Sequence, residues 1–80
     1  MKIHPRTSKI IIYLCHSESY VTMAEIAQSV GVSVKTIVRE LPLVENILKD
    51  YALSLDKKTG LGLCIRENME QRRNILKNIC

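Results

Sequence analysis

Four cations and three hydroxyls carry most of the chemistry this chain can offer. Lys35 and Arg39 stand four residues apart, so on a helix they present donors on one face. An arginine there can bond O6 and N7 of guanine together. Thr36 and the Ser33 hydroxyl are near enough to the same face to bond phosphates or bases. Thr22 precedes an apolar-periodic run, and at a helix N-terminus its hydroxyl and the first-turn N–H groups can meet a phosphate. Lys57 and Lys58 supply two further point charges for flanking phosphates or a minor groove. Nothing comparable points to catalysis. His4 and His16 lack a metal-ligand cluster, and no Ser/His/Asp or Cys/His arrangement is set up by local spacing. Gly60 and Gly62 lack the downstream helix of a phosphate-cradling loop. The expectation is a non-enzyme with no metal, no cofactor and no small-molecule substrate.

Positioning those side chains requires a helix, a tight turn and a second helix. Thr22-Met23-Ala24-Glu25 reads as a capping box, with the Thr22 hydroxyl accepting from a first-turn N–H and Glu25 reaching back. Ile26, Ala27 and Val30 give the helix it opens one buried face, and Gly31 ends it. Ser33 caps the next helix. There the step of about 100° per residue groups Val34, Ile37 and Leu41 on the core face and Lys35, Thr36 and Arg39 on the opposite one. Pro42 removes an N–H and predicts a kink or restart, after which Val44, Ile47, Leu48 and Tyr51 continue the stripe.

The flanks complete the pattern. A first helix runs from Pro5 to about His16, so rich in apolar residues that it must be covered on more than one side. Its Ile10, Ile12 and Tyr13 suit either the core or a partner surface. Tyr20-Val21 suits one short strand. From Leu53 the period changes to two: Leu53 and Leu55, then Leu61, Leu63 and Ile65, alternate with Ser, Asp, Gly and Cys. Lys57, Lys58, Thr59 and Gly60 between them predict a hairpin with a basic tip. Asn68 opens a last helix carrying Met69, Ile75, Leu76 and Ile79.

The bulk numbers are consistent with this. Eighty residues make one small core, and 12 Lys plus Arg against 8 Asp plus Glu leave a net charge of +4 that favours an anionic partner. Cys15, Cys64 and Cys80 form an odd set without metal-site spacing, the usage of a reduced, cytoplasmic protein. No apolar run is long enough to span a membrane, and no signal-peptide pattern opens the chain.

The sum predicts a mainly α fold with a small β-hairpin, a winged helix-turn-helix, whose second motif helix enters the major groove of double-stranded DNA. The chain resembles the N-terminal winged-helix domains of sugar-responsive bacterial regulators of the mannitol-operon-activator and licheninase-operon-regulator type, which carry phosphotransferase-regulated domains downstream. The matching residues are Ile26 and Ala27, Gly31-Val32-Ser33, Thr36-Ile37, Arg39 and Leu41, then Lys58, Gly60, Gly62 and Ile65 in the wing. The likeness extends over residues 6 to 67. Val38 departs from it where a basic residue is frequent, which implies fewer phosphate contacts or a methyl contact with thymine. Glu40 is a mild departure, Pro42 argues against a continuous long helix, and Leu63 stands where an aromatic is common at the wing base. The resemblance implies a DNA-binding domain over residues 1–66, a connecting helix from residue 67 to 80 and a homodimeric transcription regulator of sugar-uptake or sugar-use genes. The alternative for the last helix is to pack back on the first and complete the core. The alternative function is a protein-interaction or dimerisation module, favoured if Glu40, Glu45 or Asp56 caps the basic surface.

Overall fold

Proline at the first turn, an imidazole acceptor ahead of it and an unbroken apolar run produce α1 (Pro5–His16). The His4 side chain accepts from the Arg6 N–H, satisfying one of the donors that a helix start leaves open. The computed structural model describes residues 3–66 and 69–79. In it α1 is followed by α2 (Met23–Val30), α3 (Val34–Asp50), the strands β1 (Leu55–Lys58) and β2 (Gly62–Ile65), and α4 (Met69–Ile79).

One core joins these elements. Ile10, Ile11, Leu14, Ile26, Ile37, Val44, Leu48, Leu63, Ile65 and Ile75 are all buried in it. Helix α1 contacts α2, α3, α4 and β2, which explains why its sequence is apolar on several sides. Ile10 is core, while Ile12 and Tyr13 are half-buried beside Val30. The buried Thr7 hydroxyl donates to Glu40 Oε1 at 2.6 Å, a polar stitch between α1 and α3.

The strands pair antiparallel, Leu55 opposite Ile65 and Lys58 opposite Gly62. Residue 21 adds one isolated bridge: Val21 and Leu63 exchange both backbone hydrogen bonds, at 2.7 and 2.8 Å. The expected strand at Tyr20-Val21 is thus a single rung. Gly62 is required there, because its φ is +112° and an added Cβ would lie 2.1 Å from the Val21 carbonyl oxygen.

Four expectations need correction. Helix α3 continues through Pro42 without a restart. Pro42 is exposed and the ring costs one hydrogen bond, from the carbonyl of the exposed Val38, which water can satisfy. Val34 does not belong to the core, being 44% exposed. Lys57 and Lys58 are in β1 rather than the turn, which consists of residues 59–61 and closes with the Leu61 N–H donating to the Lys58 carbonyl. Leu61, expected inside, is exposed at that turn.

Helix α4 packs on α1, with Ile75 buried and the buried Arg72 donating through Nη2 to the Ile65 carbonyl at 2.5 Å. The side-chain amide of Asn78 bonds the Tyr51 hydroxyl at 2.9 Å. This helix therefore shares the core. Asn68, expected as its cap, and Cys80 lie outside the described residues. Three helices, a two-stranded wing and a fourth helix make this a winged helix-turn-helix. Among the described residues, no helix is long and apolar enough to cross a membrane.

Candidate nucleic-acid interface

The turn that sets the geometry is built from local hydrogen bonds. The Glu25 N–H donates to Thr22 Oγ1 at 3.1 Å and the Thr22 N–H to Glu25 Oε1 at 3.5 Å, closing the capping box at the start of α2. At its other end Gly31 takes φ +85°, and the N–H groups of Gly31 and Val32 both reach the Ala27 carbonyl. Ser33 then caps α3, accepting from the Thr36 N–H at 3.2 Å. The Ser33 and Thr36 hydroxyls lie 3.0 Å apart, so the two are tied to each other at the entrance of the second helix.

Lys35 and Arg39 follow, both exposed and one turn apart on α3. Neither has an ion pair among the described residues. Acidic side chains that could have neutralised them are engaged elsewhere. Glu40 turns to Thr7 and Arg6, and Asp56 accepts from the Tyr20 hydroxyl. Glu45 binds the Lys57 ammonium at 3.0 Å. Two charge-assisted donors are therefore available on the surface of the second helix, and they are the arrangement's main chemical asset.

The wing divides its two lysines. Alternation along β1 places Lys57 on the face of Leu55, opposite Leu63 and next to α3, where Glu45 meets it. Lys58 shares the other face with Asp56, and its ammonium sits 5.6 Å from the centre of the Tyr20 ring. Tyr20 thus lies across the outer face of the hairpin. Its phenol is pushed above its ordinary pKa, first by the hydrogen bond to Asp56, then by desolvation and by the carboxylate's charge. A groove of about 420 Å³ separates the start of α2 from the wing, and Thr22, Lys57, Lys58 and Leu61 are among its lining. Of the residues expected to act, the fold gathers Thr22 with the two wing lysines, and Ser33, Lys35, Thr36 and Arg39 on the first two turns of α3 and its cap.

A family model described as the HTH domain matches residues 6–62, more than half of the chain. The chain belongs to this family. As an HTH domain it carries α2 and α3 as the motif, and the matched span runs on through β1 to end at Gly62, the first residue of β2. No curated protein and no solved structure was found to be similar. Among the described residues, no group of three or more His, Cys, Asp or Glu could hold a metal ion.

Sequence reasoning missed the exposure of Val34 and two long-range contacts on this HTH domain's surface. Val34 and Val38 are both about half exposed beside the cations. Tyr20 reaches across the wing to Asp56, and Glu45 occupies Lys57. Val38 has a signal in the sequence as an apolar residue where a basic one is frequent, and Glu45 and Asp56 as acids able to cap the basic surface, but their actual partners are distant in the chain.

Proposed function

We propose that this chain binds double-stranded DNA sequence-specifically as the reading module of a transcription regulator. Helix α3 lies in the major groove with Lys35 and Arg39 at base edges. The Ser33 and Thr36 hydroxyls stand at the phosphates beside its entry, and Thr22, Lys57 and Lys58 meet the flanking backbone. The observation that carries this reading is the pair of exposed, unpaired cations on the second helix of an HTH motif. No group in the reading acts as a catalyst, a cofactor holder or a small-molecule site.

The finer assignment rests on the wing sequence KKTGLGLCI and the motif residues named above, which resemble the phosphotransferase-regulated sugar regulators. On that likeness we propose a cytoplasmic regulator of sugar-uptake or sugar-use genes, working as a homodimer on paired half-sites. Joining two heads makes the second contact intramolecular and adds about 10²–10⁴ in avidity, which a module of this size needs.

One observation favours a second reading, a winged helix used for protein contact. The Lys57–Glu45 pair takes one cation out of the basic surface, as a protein-binding wing would. Selection of bound sites from random duplexes with the full-length protein separates the two. DNA binding predicts enrichment of a defined motif, repeated as two half-sites; recovery of no motif supports the protein-contact reading.

A further inference from the structure

The exposed surface of α3 carries two stripes at its N-terminal end. Lys35 and Arg39 form the basic one, and Val34 and Val38 form an apolar one. Each valine immediately precedes a cation, so the stripes run side by side, about 100° apart around the helix axis. Val34 is 44% and Val38 49% exposed. Both sit in the first two turns, the part of a recognition helix that meets base edges. They adjoin, along the chain and around the helix, Lys35 and Arg39, which have no ion pair among the described residues, on a chain whose net charge suits a polyanion.

In the major groove, the apolar group on offer is the C5-methyl of thymine, and it stands among the acceptors that lysine and arginine seek. We propose that Val34 and Val38 are specificity-determining residues that contact thymine methyl groups, next to a guanine held by Arg39. Resting on the DNA-binding reading above, this adds the class of base pair that the site must contain. The recognised half-site contains a guanine with thymine at one or two neighbouring positions, on either strand. The valines act by removing methyl surface from water, not by hydrogen bonding.

The test uses the full-length protein and the duplex it selects. Each thymine of that duplex is replaced singly by deoxyuridine, which deletes the methyl and keeps every hydrogen-bonding group. Binding is expected to weaken by about three- to five-fold at one or two positions, the value of one buried methyl contact. In Val38→Ala or Val34→Ala the same replacement should cost less than two-fold, because the partner methyls are gone. Thermal melts of both variants check that the fold is retained, as expected for half-exposed side chains. Deoxyuridine replacement without effect at every position overturns the proposal. So does an equal penalty in wild type and variants, or a change of oligomeric state on substitution with the penalties unaltered, which assigns the valines to a protein contact. Failure to select any duplex refutes the DNA-binding reading instead, so the two failures are distinct.

Discussion

Replacing Glu45 by Gln isolates an ion pair that competes with DNA for a wing cation. The carboxylate and the Lys57 ammonium are 3.0 Å apart, and their side chains are 38% and 50% exposed. At that distance two charges attract by about 1.4 kcal/mol in bulk water, and ordering two exposed side chains leaves a net of about 0.2–1 kcal/mol. The fold should therefore lose less than about 1 kcal/mol, seen as a small shift in the urea midpoint. The same energy no longer has to be surrendered when Lys57 meets a phosphate. Binding to the selected duplex should then tighten by about 1.5- to 5-fold at low salt, and the gain should shrink as salt rises. Fluorescence anisotropy across a salt series measures it. In a Lys57→Ala background the gain should vanish, which separates release of Lys57 from the mere loss of a negative charge. Unchanged affinity in Glu45→Gln, or an equal gain without Lys57, refutes the placement of Lys57 at the DNA backbone.

Lys58→Ala should weaken binding to all sequences alike and flatten the slope of log K against log salt by about one unit, in the same anisotropy assay. Gly62→Ala should destabilise the fold by about 2–4 kcal/mol in urea melts, since its Cβ meets a backbone oxygen at a positive φ. Gly60→Ala, with φ +85° but nothing within 4 Å of an added Cβ, should cost about 1 kcal/mol. The Tyr20 phenol should titrate above its ordinary value, followed by its ring resonances in NMR, and Asp56→Asn should bring it down. Because the folded value is the higher one, the stability it brings is whole below the unfolded-state pKa and fades as pH rises through the folded one.

The parts of the fold legible in the sequence are those decided within a few residues. The Thr22–Glu25 capping box, the Gly31 stop and the Ser33 cap are each a matter of three or four positions, and the structure has all three. The hairpin was legible from its period of two, but its turn was placed two residues early, because charged Lys57 and Lys58 looked like loop and are strand. Val34 went astray for a geometric reason. It lies within about 20° of Leu41 around the axis but roughly 10 Å towards the start of α3, so angular phase alone assigns it to the core. Pro42 misleads by its intrinsic propensity, which an exposed position, where water can reach the freed Val38 carbonyl, overrides. The Lys57–Glu45 and Tyr20–Asp56 contacts join residues that only the tertiary fold brings together, so no local pattern announces them.

The central claim is that exposed cations on α3 read bases, and Arg39→Ala tests it most directly. Site selection from random duplexes should be run side by side with the wild-type and Arg39→Ala full-length proteins. The variant should lose about 1–3 kcal/mol of affinity for the wild-type site and accept any base at one or two positions where the wild type demands guanine. Identical motifs bound with identical affinity would contradict it, leaving Arg39 as a solvated side chain and α3 without a reading role.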